Sequence, residues 1–361
     1  RNDPAHPLLA SQFTEQVAPP TPGQEAPDQC GAAGWYTEQS LDVEAVHAMA
    51  PGAHILFVGG ADCQNLSLDA SLNSIVAAHS ASMVSNSYGN AGEDLQASDI
   101  QAFHQIAVQA VLEGIGLYFS SGDSGDEAAV VGRPEANFSA DDPFVTAVGG
   151  TSVGIGQRNQ VVLQTGWEIG KASLGNGVWN APVYQSGSGG GTSRVFAEPF
   201  YQKGVVPDAL AAENQTGANR GRVVPDISML ADPNTGFLVG MTQTFPEGVF
   251  YDQFRLGGTS LACPLLAGMM ADSDQLDHFH HGFINPMIYR FTARTSAISD
   301  VQPQTGAVVR VDFVNGTDAT GGLVRTVRMF NDPDQTIHTT KGYDNVTGLG
   351  TPRGVPFLAL S

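Results

Sequence analysis

Basic residues are scarce in this chain. Its 361 residues include 16 Lys and Arg against 36 Asp and Glu, a formal net charge of −20. Phosphates need cations to meet them, so nucleic acid is excluded as a partner. The acid excess points to cations or to a medium that neutralises carboxylates, and it also serves solubility. Charged residues make up only 14% of the chain, too few for a disordered one. Long apolar runs are missing too: none reaches the ~18 residues of a membrane span, and no leader pattern opens the sequence. The start, "RNDPAHPLLASQF", reads as an interior boundary left by a removed leader and a further amino-terminal segment. Three cysteines are too few for a disulfide-stapled scaffold. Cys30 and Cys63 lie in loop-like sequence and either pair, which implies an oxidising compartment, or remain free thiols. Cys263 sits inside an apolar segment.

What is abundant is glycine, 43 residues, which implies tight turns and close backbone approaches. The first half alternates helical and strand-like segments. A helix from about Glu38 to Met49 precedes the short apolar run His54–Gly60. Helical "LDASLNSIVAAHS", strand-like Ser82–Gly89, a helix around "SDIQAFHQIAVQAVLEG" and the strand-like runs Ile115–Gly125 and Pro143–Gly150 follow. Such alternation implies right-handed crossovers and an α/β fold, a mostly parallel central sheet with helices on both faces. Ligands in these sheets sit at the carboxyl ends of the strands, where Ser87, Tyr88 and Gly89, and Ser121, Gly122 and Asp123, fall. The region from about Gln157 to Gly221 is rich in Gly, Ser and Asn; its "SGSGGG" run reads as a tight loop within one domain. Towards the end, "GAVVRVDFVNG" and "GLVRTVRMFND" predict a hairpin insertion at about 306–331.

Three stretches carry candidate chemistry. In "GGTSLACPLLAG" Ser260 opens an apolar helix, where orphan backbone N–H groups could help bind an oxyanion. Read alone, it is an ordinary cap. In "WYTEQSLDVEAVHAMAPGA" Glu38 and Asp42 are four residues apart and share a helix face. The plain explanation is acids welcomed in a first helical turn by the dipole; the functional one is a base and its orienting partner. In "SSGDSGD" Asp123 ends an apolar strand between glycines, as a turn cap or as a group facing a ligand.

Together these stretches resemble the sedolisin family of serine-carboxyl peptidases, which are subtilisin-like in fold and include the kumamolisins and the tripeptidyl-peptidases. The resemblance covers nearly the whole chain, through "SNSYG", "SSGDSG", "DPFVTAVGGTS", "SGGGTSR", "RVVPDISMLADPNTGFLV" and "GYDNVTGLGTPRG" besides the segments above. It implies a single peptidase domain over residues 1–361. Ser260 would be the nucleophile, Glu38 the general base and acid, Asp42 the residue orienting Glu38, and Asp123 the oxyanion donor. A carboxylate still accepts protons at a pH where histidine is already charged. Tyr88 replaces the tryptophan frequent in the family and would narrow a pocket lined by Ser87, Tyr88, Gly89 and Gly122. The resemblance also implies one Ca2+ near the carboxyl terminus. Its ligands would be the Asp300 carboxylate, the Val301, Thr340 and Gly342 carbonyls, and the Asp344 carboxylate, with Thr340 standing where the family favours glycine.

The expected protein is therefore a secreted, acid-acting endo- or exopeptidase. It would be monomeric, with a peptide or protein substrate, its own pro-segment as inhibitor and chaperone, and neither nucleic acid nor membrane as partner. Subtilisin proper resembles the serine motif but needs a histidine in an "HGTH"-like segment, which is absent. A neutral-pH hydrolase would have to recruit His47 or His104. A third reading is an inactive, calcium-dependent binding protein of the same fold.

Overall fold

The computed structural model describes residues 5–19, 30–291, 296–304, 308–315, 318–328 and 335–359. The strands that build the central layer are β1 (Phe13–Val17), β2 (Ile55–Gly59), β3 (Met83–Asn86), β4 (Gly116–Ser120), β5 (Thr146–Ile155) and β6 (Ile227–Leu230). The order β6-β5-β4-β3 is parallel throughout, and β1 and β2 form a separate parallel pair. The strand Val161–Gly166 adds antiparallel to β5. The helices that matter for the site are α1 (Ala32–Met49), α2 (Asn65–Ala78), α3 (Ala97–Leu112) and α4 (Thr259–Asp277).

The alternation of side chains along a strand explains how one apolar run serves two cores. In β4, Leu117 and Phe119 face a cluster containing Leu72 and Val76 of α2 and Phe103 and Ala107 of α3. Tyr118 points the other way, into a cluster containing Ala262, Cys263 and Leu266 of α4. The neighbouring strand repeats the pattern, with Val145 and Ala147 on the first side and Val148 on the second. The sheet is thus covered on both faces, which is why β4 is uniformly buried. A third cluster joins Leu41 and Ala45 of α1 to Leu261 and Leu265 of α4. Both pairs are four residues apart, so each helix presents one stripe to the other.

The serine-glycine run is a tight loop: a β-carbon on Gly189 would lie 2.1 Å from the Ser121 carbonyl, and one on Gly190 1.8 Å from that of Asn345. The expected hairpin is present as Val308–Phe313 paired antiparallel with Leu323–Arg328, which also docks on the strand Glu168–Gly175. Residues 306, 307, 316, 317 and 329–331 of that expectation lie outside the described residues. Two features went unanticipated. One is β1; the other is a nine-by-nine residue hairpin, Phe237–Phe245 with Gly248–Leu256, immediately before α4.

Candidate active site

The helix carrying Ser260 starts where it does because of glycine. Gly258, its N-cap residue, has φ +93°, and a β-carbon there would stand 2.7 Å from Asp123 Oδ2. Only glycine lets the carboxyl approach this closely. Thr259 then grips Asp123: its N–H donates to Oδ1 at 2.8 Å, and its hydroxyl lies 2.9 Å from the same oxygen. That hydroxyl also accepts the Gly122 N–H at 3.1 Å. Ser260 makes no capping bond. It occupies the second helical position, where the backbone N–H has no partner within the helix.

Glu38 and Asp42 reach this point on α1, and the reason differs from the first-turn explanation. The helix begins at Ala32, six residues earlier than expected, and no acid lies in its first turn. The dipole's benefit fades within that turn, so it does not account for two mid-helix carboxylates. The Leu41–Ala45 stripe instead clamps α1 on α4, which brings Glu38 against Ser260 and Asp42 against Glu38 and Ser87.

Their environment sets their protonation. Burial pushes the Glu38 carboxyl up to about 7; the Ser260 hydroxyl opposes this and the Asp123 charge adds to it. Glu38 Oε1 is buried without a partner. Asp42 is held well above the usual carboxylate range by burial and then by Glu38, against a hydrogen bond from Ser87. Asp123 keeps solvent contact at the rim, yet the protein packed around its carboxyl raises its pKa, against the two Thr259 hydrogen bonds. All three acids are therefore biased towards the neutral form.

The residues expected to line a substrate pocket divide. Ser87 turns inward, with its hydroxyl 2.7 Å from Asp42 Oδ1 and 3.2 Å from the Ser260 carbonyl. Tyr88 packs edge-on against Phe119 and donates its hydroxyl to Asn86 Oδ1 at 3.1 Å, so that group is not offered to a ligand. Tyr88 and exposed Gly89 do wall a cavity of about 110 Å³. Gly122, at φ +109°, makes room for Asn137, whose Nδ2 would lie 2.0 Å from a β-carbon there. Sequence reasoning missed Asn137 and the tether through Thr259. Buried Asn137 donates to the Ser121 carbonyl and to Glu127 Oε1, which fixes the loop behind Asp123. No local sequence signal distinguishes such an asparagine from a loop residue.

The histidines are engaged elsewhere. His47 Nε2 lies 2.9 Å from the His6 carbonyl, and His104 Nδ1 lies 2.7 Å from Asp142 Oδ2. His280 and His281 pair with Asp274, and His281 also with Asp277. At the carboxyl-terminal end, Asp300 Oδ2 accepts the Gly342 N–H at 3.0 Å, so the two expected calcium segments meet. Asp300 Oδ1 is buried without a hydrogen-bond partner, which fits an oxygen free to ligate a cation. Asp344 is different: its oxygens accept from the N–H groups of Thr340, Val346 and Thr347 and from the Thr347 hydroxyl. It would have to surrender one of these bonds to bind metal. Cys30 and Cys63 form a disulfide, and among the described residues no helix is long and apolar enough to cross a membrane.

Known proteins carry the same arrangement of segments. The subtilase family model matches residues 29–304. Kumamolisin from Bacillus sp. (strain MN-32) is 28% identical over 331 residues, covering 89% of this chain and 50% of the relative. Tripeptidyl-peptidase 1 from Canis lupus familiaris is 27% identical over 282 residues, covering 74% and 40%. The chain spans about half the length, or less, of these curated relatives. The solved structure of Pseudomonas sedolisin, a serine-carboxyl proteinase complexed with two molecules of pseudo-iodotyrostatin, superposes with a TM-score of 0.64 at 22% identity. The match covers 94% of this chain and 89% of that one, and it shows the fold. The chain belongs to the subtilase family, in its sedolisin branch.

Proposed function

We propose that the protein is a serine-carboxyl peptidase that hydrolyses peptide bonds at mildly acidic pH through an acyl-enzyme. The observation that carries the reading is the meeting of two α1 carboxyls with Ser260 in the first turn of α4, while the neighbouring histidines are bound elsewhere. Ser260 Oγ would attack the substrate carbonyl as its proton passes to Glu38. The tetrahedral oxyanion would be met by the unpaired Ser260 N–H and by protonated Asp123. Thr259 holds Asp123 Oδ1, which leaves Oδ2, the oxygen over Gly258, to carry the proton. Collapse of the intermediate expels the amine with the proton from Glu38, and water releases the acyl group by the same steps in reverse. Asp42, itself held by Ser87, would orient Glu38.

The pH window follows from the signs. Glu38 and Asp42 titrate as a pair. The base is competent once that pair has lost one proton, and the donor is competent until Asp123 loses its own. With all three raised, both limbs of the activity profile are expected above the ordinary carboxylate range. A general base contributes about 10²–10⁴-fold, so Glu38→Gln should lose that much or more in kcat with a peptide substrate, and Ser260→Ala should be inactive. Full activity in Glu38→Gln rejects the mechanism.

Secretion belongs to the same proposal, supported by the Cys30–Cys63 disulfide, since such bonds persist in oxidising compartments. So does one structural Ca2+, held by the Asp300 carboxylate, the Val301, Thr340 and Gly342 carbonyls, and an Asp344 that gives up a turn hydrogen bond. Bound there, the ion would pin the loop at 340–344 to the chain at 299–301.

A further inference from the structure

The cavity beside the site contains a charge that the reaction does not use. Its walls include Trp35, three residues before Glu38 on α1, and Tyr88 and Gly89, which directly follow Ser87. Leu68 and Asp69 of α2, Phe138 and Ser139 are also in the wall. Its volume of about 110 Å³ is well below the roughly 300–1,000 Å³ of sites that enclose whole ligands. It admits one side chain. The cavity lies beside the catalytic residues along the chain: its wall residue Tyr88 directly follows Ser87, whose hydroxyl touches both Asp42 and the Ser260 carbonyl. A peptide placed for attack by Ser260 would therefore bring a side chain on the acyl side of the scissile bond to it.

Most of this lining is apolar or already satisfied. The Tyr88 hydroxyl is bonded to Asn86, and Cys63 on the wall is tied to Cys30. Asn65 and Asn90 bond each other. Asp69 differs: it accepts no hydrogen bond and faces no cation among the described residues. Burial pushes its carboxyl up to about 6, and Asp99 on α3 adds to this. Of the other packed elements, β2 carries no titratable side chain, and Tyr88 on the strand side is driven further towards its neutral form. A desolvated, unpartnered carboxylate is costly unless something opposite in charge arrives.

We propose that Asp69 makes this cavity a receptor for a basic side chain, lysine or arginine, at the acyl side of the bond to be cleaved. The proposal rests on the peptidase reading above. It also gives the preference a pH dependence. Below about 6 Asp69 is neutral and the cavity accepts apolar side chains; above it the carboxylate selects cations.

The test compares kcat/KM for matched peptides that differ only in carrying Lys, Arg or Leu at that position, at pH 4.5 and 6.5. In the wild-type protein the Lys-to-Leu or Arg-to-Leu ratio should rise about tenfold between the two pH values, the scale of one charge-assisted hydrogen bond. In Asp69→Asn the ratio should stay flat. A ratio that does not rise with pH, or that rises equally in Asp69→Asn, overturns the proposal while leaving the peptidase reading intact. If no peptide is cut at all, the peptidase reading fails, and equilibrium binding of the Lys and Leu peptides to the Ser260→Ala protein still decides the role of the cavity. Tighter binding of the Lys peptide at pH 6.5, lost when Asp69→Asn is added, supports it; equal binding refutes it.

Discussion

Ser87→Ala removes one hydroxyl and should move the acid limb of the pH–rate profile. That hydroxyl lies 2.7 Å from Asp42 Oδ1 and is the group that most opposes the rise in Asp42's pKa. A hydrogen bond to a charged acceptor contributes about 1.5–3 kcal/mol, and one pKa unit corresponds to about 1.4 kcal/mol. Deleting it should therefore raise the apparent pKa of the Glu38–Asp42 pair by about 1–2 units. Partial solvent contact at Asp42 favours the lower end of that range. The sign is fixed, because the bond stabilises the carboxylate: without it the pair keeps its second proton to higher pH. Activity below the optimum should drop about tenfold and the maximum should shift towards neutrality. The assay is kcat/KM for a fluorogenic peptide from pH 3 to 8, with Ser87→Thr as the variant that keeps the hydroxyl. An acid limb that stays in place while the whole curve falls uniformly would refute the linkage of Ser87 to the base.

Stability should follow pH in an unusual direction. Asp141 is buried and raised well above its ordinary value by desolvation and by Glu93. The folded state thus binds a proton that the unfolded chain releases near 3.8. That stabilisation is complete below this value and is lost as the pH rises through the folded pKa; Asp42 and Asp123 act in the same sense. Melting temperatures should fall from pH 4 to 7, and less steeply in Asp141→Asn. Arg222 makes a paired contact with Asp226 at 2.6 and 2.7 Å, both fully buried. Arg222→Met takes the cation from that buried carboxylate, leaving it only the hydrogen bonds from Ala147, Asn285 and Tyr289, and should cost about 3–5 kcal/mol, read as a lowered denaturant midpoint. Chelation by EDTA should lower the melting temperature of the wild-type protein, and added Ca2+ should restore it. No change in Asp300→Asn relative to wild type under either condition would dismiss the metal.

The parallel sheet was legible in the sequence because each central strand is a short buried run and each helix repeats its apolar positions. Local rules misplaced the start of α1, since nothing near Gly31 advertises a cap: the residue sits in a left-handed conformation without a side-chain bond. The packing of Leu41 and Ala45 on α4 decides the helix instead, and tertiary burial overrides propensity. β1 was invisible for a similar reason, because four of its five residues are exposed. At the site, spacing alone could place Glu38 and Asp42 on one face but could not say which helix that face meets. The grip of Thr259 on Asp123 spans 136 positions, and no short-range pattern encodes such a contact.

That grip has a consequence for how the site tolerates disturbance. Anchored through one threonine, the beginning of the serine helix and the loop that follows β4 must travel as a unit, so motion of either carries the other along. The proton acceptor is tied less directly, because it arrives on a separate helix that meets the serine helix through aliphatic side chains and through the bridging Ser87 hydroxyl. Damage from distant substitutions should therefore register first as a misplaced base, with the anion-binding half of the machinery still in register.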